Sequence, residues 1–348
     1  MSKTYILVDT YNLFFRALYA VGGEDIEETK GMMLHTMFSM IKKACDRFSP
    51  DCLIACRDGN KSWRKDFYPM YKANRVDKYQ QMTPSEIEKH NALKDVFENE
   101  FLPFIDEKTN IPLLSHNMAE ADDLIARFIK LHPNDTVIIL STDNDFVQLL
   151  NDNVFIYNSM EERIVSNKCI IDAESKKPLS FVLKEGKVSI PKTQPTEVTQ
   201  LIPSNDWVDY SLFMKCIRGD KSDNIMSAYP GVREKSTKNK IGVRDAFLGK
   251  GEINWDMFMK QTWTDPIGET HIVEDDYKRN KTLIDLNCIP QELVNNIDPY
   301  IVETLNRPMK SCVGIALTKF FQKWRLVNLE KSIQSMSTYF QKGYNANN

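Results

Sequence analysis

Short, unbroken apolar runs that stop at acidic residues set the pattern of this chain. Tyr5-Ile-Leu-Val ends at Asp9, Cys52-Leu-Ile-Ala-Cys56 is followed by Arg57-Asp58, and Thr136-Val-Ile-Ile-Leu140 runs into Ser-Thr-Asp143-Asn-Asp145. Strands buried on both faces read as continuous apolar runs, and they belong to parallel sheets covered by helices. Between the first two runs, Met33, Met37, Met40, Ile41 and Ala44 recur at helical spacing, completing a β-α-β unit. The expected fold class is therefore α/β, with a mostly parallel central sheet flanked by helices. Ligands in such folds sit beyond the carboxyl ends of the strands, where Asp9, Asp58 and Asp143 fall.

Further along, Thr83-Pro84-Ser85-Glu86 has the form of a helix start, with an N-cap Thr, Pro at the first position and Glu at the third. The helix is expected to continue through Phe97 and Phe101. Residues 117–131 read as a helix with Leu124, Ile125, Phe128 and Ile129 on its apolar face, and Phe146 opens another. From about 158 to 206 the chain is polar, with short strands expected at 179–183 and 187–190 and no chemistry assigned. A short helix at 211–217 leads into the tight turn Arg218-Gly-Asp220-Lys221-Ser-Asp223. Apolar positions Val313, Leu317, Phe320, Phe321 and Trp324 predict a packed helix pair over 310–342.

Composition narrows the class. A chain of 348 residues, 42% hydrophobic, can bury one large core or two modest ones. It lacks an apolar run of membrane length and an apolar N-terminal signal, so a soluble, cytoplasmic protein is expected. Its seven cysteines are scattered without a Cys-x-x-Cys pair, which argues against a disulfide framework or a zinc knuckle. The net charge of −3 hides strong segregation. Residues 61–78 carry six Lys or Arg against two Asp, residues 215–244 eight against three acids, and residues 307–348 seven against one Glu. Basic surfaces flanking an acidic floor suit a polyanion.

The acids are the candidate chemistry. Asp9, Asp58, Glu120, Asp122, Asp123, Asp143, Asp145, Asp220 and Asp223 would repel one another unless cations neutralise them, and an all-oxygen set suits Mg²⁺ or Mn²⁺. One strand-terminal Asp is explained by capping the next helix, but several at equivalent ends are not. Acids at a helix N-terminus are favoured by the dipole, which accounts for one or two of Glu120, Asp122 and Asp123. Glu120 and Asp123 share a helical face while Asp122 points about 100° away, so a partly unwound first turn or a water-mediated contact is expected there. The turn at Gly219 lacks the alternating acids of an EF-hand. In residues 59–76, aromatics such as Trp63, Phe67 and Tyr71 alternate with cations, a pattern that serves either base stacking and phosphate contact or a surface loop with its rings turned inward.

Taken in order, Leu-Val-Asp9, Arg-Asp58-Gly, Tyr71-Lys72-Ala-Asn-Arg75, Glu120-Ala-Asp122-Asp123, Ser-Thr-Asp143-Asn-Asp145 and Gly-Asp220-Lys-Ser-Asp223-Asn resemble the motifs of the 5′-nuclease family of flap endonucleases and 5′→3′ exonucleases. Cys56 to Phe67 and Asn280 to Leu286 are similar to the T-even phage ribonuclease H branch. The resemblance implies a catalytic α/β domain over 1–225, with a helical arch at about 60–100 and the polar insertion at about 158–206. A mainly helical region, 226–348, would bind duplex DNA and partners. It also implies two-metal phosphodiester hydrolysis at 5′ ends, serving phage replication in an infected bacterium. Asp9, Asp58, Glu120, Asp122 and Asp143 would hold one ion and Asp145, Asp220 and Asp223 the other, with Asp123 shared or farther out. Lys72 and Arg75 would contact the scissile phosphate, Tyr71 would stack on the terminal base, and Arg64, Lys65 and Lys221 would bind nucleic acid. Implied partners are DNA and RNA–DNA hybrids with 5′ ends or flaps, a single-stranded-DNA-binding protein and a sliding clamp, with no membrane and a monomeric enzyme. The family's Gly-Ile/Val-Gly helix-turn-helix is replaced by Tyr229-Pro-Gly231 through Ile241-Gly242, so its K⁺ site is not carried over. A non-catalytic junction binder would be expected to have lost metal acids, and this chain keeps all nine. A phosphatase using Asp9 as nucleophile would need a second Asp where Tyr11 stands.

Overall fold

The computed structural model describes residues 2–23, 25–194 and 206–344, so residues 195–205 of the polar insertion and the last four residues lie outside the description. Five strands run in parallel: β1 (Thr4–Asp9), β2 (Cys52–Cys56), β3 (Leu113–Leu114), β4 (Thr136–Leu140) and β5 (Val154–Asn158). Their order is β3-β2-β1-β4-β5, and β6 (Arg163–Val165), β7 (Ile170–Asp172) and β8 (Pro178–Leu179) extend the sheet antiparallel beyond β5. Strand β1 thus lies between β2 on one side and β4 on the other. Chain connections diverge at such a position, leaving a crevice at the carboxyl edge. Two hairpins stand apart from the sheet: β9 (Val182–Lys184) with β10 (Lys187–Ser189), and β11 (Thr262–Thr264) with β12 (Thr270–Ile272).

Side chains alternate across β1, which sends Tyr5 and Leu7 into one core and Ile6 and Val8 into the other. The helices before the second hairpin's partner strands are α1 (Thr10–Ala20), α2 (Ile26–Phe48), α3 (Trp63–Phe67), α4 (Asn74–Gln80), α5 (Pro84–Val96), α6 (Leu102–Lys108), α7 (Ala121–Leu131), α8 (Trp207–Arg218), α9 (Val243–Leu248) and α10 (Ile253–Met259). After β12 come α11 (Val273–Ile284), α12 (Gln291–Leu305), α13 (Val313–Lys323), α14 (Val327–Glu330) and α15 (Ile333–Phe340). On the Ile6 face, Met33, Phe38 and Ile41 of α2 pack with Leu317, Phe321 and Phe340. On the Tyr5 face, Leu124 and Phe128 of α7 pack with Phe213 of α8 and with Ile297 and Ile301 of α12. Residues beyond 225 therefore help to fill both cores.

Local signals are met with shifts of a few residues. Thr83 caps α5 by accepting from Glu86 N at 3.3 Å while Glu86 Oε2 accepts from Thr83 N at 2.7 Å. One turn of π-helix at Phe97–Phe101 joins α5 to α6. Helix α7 starts at Ala121 rather than 117, Phe146 lies in a 3₁₀ helix (Asn144–Leu149), and 310–342 holds three helices rather than two. Among the described residues no helix is long and apolar enough to cross a membrane.

Candidate active site

The carboxyl edge gathers acids from five chain segments. Asp9 ends β1 and caps α1, accepting from Asn12 N at 3.2 Å and from Ser141 Oγ at 3.1 Å. Asp58, just past β2, accepts from Ala121 N at 2.8 Å and so ties that strand end to the start of α7. Asp143 caps the 3₁₀ helix after β4 by accepting from Asp145 N at 2.9 Å. Asp220 and Asp223 come from the turn after α8, closed by an Asp220–Ile225 bridge. That turn needs Gly219: its φ is +71°, and a Cβ there would lie 2.3 Å from Ile225 O.

At α7 the phase problem is resolved by the backbone. Glu120 is an extended N-cap with φ −84° and ψ 164°, outside the helix proper. It faces the cleft together with Asp122, while Asp123 turns inward. Eight carboxylates, those of Asp9, Asp58, Glu120, Asp122, Asp143, Asp145, Asp220 and Asp223, line one cleft of about 360 Å³ with Lys72, Arg75, Arg16 and Lys187.

Cations divide this cleft unevenly. Lys215 of α8, only 4% exposed at its side chain, lies 3.2 Å from Asp220 Oδ2 and also pairs closely with Asp145, and Lys187 of β10 reaches Asp220 at 3.2 Å. Burial would raise both acids, but Lys215 holds Asp145 and Asp220 below the ordinary carboxylate range. Lys72 Nζ lies 2.7 Å from Glu120 Oε1, and Arg75 Nη2 lies 3.0 Å from Asp223 Oδ1. Despite burial, Lys72 and Arg64 bring Glu120 down to about 2. The opposite end has no lysine in contact, only Arg64 Nη2 3.8 Å from Asp122 Oδ2. Burial first, and then Asp58, push Asp9 up to about 7. Burial and Asp145 do the same for Asp143, to about 7. Asp122 is raised well above its usual value by burial, against the pull of Arg64, and Asp58 is raised by burial.

Three sequence expectations need correction. Asp123 is fully buried and cannot face an ion in the cleft. Its two oxygens accept from Arg64 at 2.8 and 2.9 Å, and Oδ2 also accepts from Trp63 Nε1 at 3.1 Å and Glu120 N at 3.1 Å. Arg64, 1% exposed, is correspondingly withdrawn from nucleic acid and donates its Nε to Leu283 O at 2.8 Å. Tyr71, 3% exposed, cannot stack on a base: its hydroxyl donates to Glu120 Oε2 at 2.8 Å, with Asp223 Oδ2 3.2 Å away. Lys65 and Lys221 are exposed, and so is Arg75. Lys72 has a left-handed backbone, φ +58°, fixed by its N–H donating to Asp223 O at 2.8 Å. That conformation is costly for a residue with a Cβ and turns the ammonium onto Glu120.

Lys215 and Lys187 were missed. Lys215 had a signal, a lone charge inside the apolar run Leu212-Phe-Met-Lys-Cys-Ile217. Lys187 had none, because the hairpin that carries it gains meaning only from its docking, where Val188 N donates to Asn144 Oδ1 at 3.0 Å.

The unpaired end makes stability depend on pH. Asp9 rises from 3.8 to about 7 on folding, so the folded state holds the extra proton, and this stabilisation is lost as pH climbs from about 4 through about 7. Its ceiling is about 4 kcal/mol. The depressed acids Glu120 and Asp220 act the other way, but only on acidification below about pH 4. The metal-stripped protein is thus expected to lose urea resistance steadily from pH 5 to pH 8. A flat or rising midpoint across that range contradicts it.

Residues 4–175 match the family model described as the 5'-3' exonuclease, N-terminal resolvase-like domain. The chain is 27% identical over 252 residues to the flap endonuclease Xni of Pseudoalteromonas translucida, covering 69% of this chain and 89% of that one. It is 33% identical over 157 residues to the flap endonuclease of Escherichia phage T5, covering 44% and 50%. A solved T5 flap endonuclease complex with DNA and metal ions superposes with a TM-score of 0.58 at 19% identity, over 87% of this chain and 99% of that one, which shows a shared fold.

Proposed function

We propose that the chain, whose residues 4–175 match the 5'-3' exonuclease N-terminal domain, hydrolyses phosphodiester bonds at 5′ ends and flaps with divalent metal ions. The observation that carries the reading is the convergence of eight carboxylates in one cleft, where Asp9 and Asp143 are pushed up to about 7. Acids held so close are destabilised as anions and want a cation, and an all-oxygen donor set fits hard Mg²⁺ or Mn²⁺. Asp9, Asp58, Asp122 and Asp143, which lack a close lysine, would form the stronger site, with Glu120 beside them. Asp145, Asp220 and Asp223 would form the second, sharing it with Lys215. When bound, the ions supply an acidified water as nucleophile and positive charge beside the phosphate and the leaving oxygen.

The chain's own residues do the rest. Burial would lower the pKa of Lys72, but Glu120 and Asp223 raise it, so its ammonium stays charged at neutral pH and offers a fixed cation to the scissile phosphate. Arg75, 55% exposed at its side chain, stands at the cleft mouth, where a planar guanidinium can take two phosphate oxygens. Ser141, Asn12 and the α7 N-terminus hold the carboxylates in place, so little reorganisation is needed when substrate enters.

The test is digestion of 5′-labelled flap, nicked and RNA–DNA hybrid substrates with Mg²⁺, with Mn²⁺ and in excess EDTA. Cleavage is expected with either ion and none with EDTA, and cleavage that survives EDTA overturns the reading. Lys72→Ala is expected to cut the rate at saturating metal by about 10²-fold, measured by single-turnover kinetics.

A further inference from the structure

A second group of ligating side chains stands well away in sequence from the cleft acids, on the β11–β12 hairpin and the helix that follows it. Asp265, Glu269 and His271 bring a carboxylate oxygen, a carboxylate oxygen and a ring nitrogen all within 4.8 Å of one another. The hairpin builds this set. Asp265 Oδ1 accepts from Ile267 N at 3.0 Å and Glu269 N at 2.7 Å, which fixes the turn and leaves Oδ2 3.8 Å from His271 Nε2. The His271 ring is clamped flat on Trp263, with centroids 4.3 Å apart, and Trp263 is itself anchored by donating to Ala228 O at 2.9 Å.

One unsatisfied atom points to a ligand. His271 Nε2 is buried without a hydrogen-bond partner, and 3.8 Å is too long for a bond to Asp265. On the other edge of the ring, Nδ1 lies 3.1 Å from Oδ2 of Asp276, a residue only 6% exposed. A carboxylate behind one ring nitrogen and carboxylate oxygens in front of the other is the arrangement that orients a histidine toward a metal. Ligands about 2.1 Å from a tetrahedral ion lie about 3.4 Å apart, close to the Asp265–His271 separation.

We propose that Asp265, Glu269 and His271 bind one divalent transition-metal ion of the zinc class, with Asp276 orienting the imidazole. Mixed imidazole and carboxylate donors favour such an ion over Mg²⁺, which separates this site from the all-oxygen cleft. The ion would tie the 265–269 turn to His271 of β12, whose ring abuts Asp276 of α11. That helix supports the cleft at its far end, where Asn280 Nδ2 donates to Cys216 O at 2.9 Å and Met226 O at 2.7 Å, on either side of the Asp220–Asp223 turn.

The test strips the full-length protein with chelator, reloads it with Zn²⁺, removes free ion by gel filtration and counts bound zinc. Thermal melts are run with and without zinc. Wild type is expected to hold one zinc more than His271→Gln, and its zinc-dependent rise in Tm is expected to exceed that variant's, which keeps only the part due to ions in the cleft. Glu269→Gln, at an exposed position that cannot disturb the fold, is expected to weaken the same site at least about 10-fold. Equal zinc content and equal melting shifts in all three proteins overturn the proposal, because every bound ion would then belong elsewhere. If His271→Gln does not fold, undiminished zinc affinity in Glu269→Gln overturns it as well.

Discussion

Asp143→Asn is expected to lower 5′-flap cleavage by about 10³-fold or more and, at the same time, to make the metal-stripped protein more stable at pH 8. The two effects share one cause. Asp143 Oδ1 accepts from Asp145 N, and an asparagine oxygen can keep that bond. What is lost is charge, at a position where burial, Asp145 and Asp9 all disfavour the anion. With a cation present that charge serves the reaction, and without one it is a burden. A single-turnover rate within tenfold of wild type, or a melting temperature in EDTA that falls rather than rises, sinks the assignment of Asp143. Asp9→Asn gives a weaker test, because Asp9 also caps α1 and takes a bond from Ser141.

The parallel sheet was legible because each buried strand is a continuous apolar run, and 52–56 and 136–140 match the observed strands residue for residue. The carboxylates were legible because several sit where those strands stop. At α7 a period of 3.6 pairs Glu120 with Asp123 and leaves Asp122 out of phase, and the unwound first turn expected from that conflict is present, with Glu120 an extended cap outside the helix. Direction was also hidden in 63–75. Alternating rings and cations suit either an exposed binding loop or a segment whose side chains turn inward, and only tertiary packing decides. Trp63, Arg64 and Tyr71 turned inward, while Lys65, Phe67 and Met70 stayed outside. Lys187 depends on the docking of its hairpin against Asn144, a contact between segments far apart in sequence that no local pattern carries.

Arg64→Ala is expected to cost about 3–5 kcal/mol of folding stability. The guanidinium makes a two-pronged pair with Asp123, both groups essentially without solvent, and donates a further bond to Leu283 O. Its truncation leaves the fully buried Asp123 carboxylate with only the Trp63 indole and the Glu120 amide as donors, both on Oδ2, and also empties the space the guanidinium fills against Trp63. Arg64→Lys should recover little, since one ammonium cannot meet both carboxylate oxygens and the Leu283 carbonyl. Arg64→Met with Asp123→Leu removes both charges and should restore much of the loss. Urea midpoints at unchanged m-value measure this series. A phosphate-contacting arginine behaves in the opposite way: its loss leaves the midpoint unchanged and lowers the salt dependence of flap binding by about one unit. The buried geometry predicts an unchanged salt slope for the folded fraction of Arg64→Lys, and a slope reduced by one with an unaltered midpoint would return Arg64 to the nucleic-acid interface.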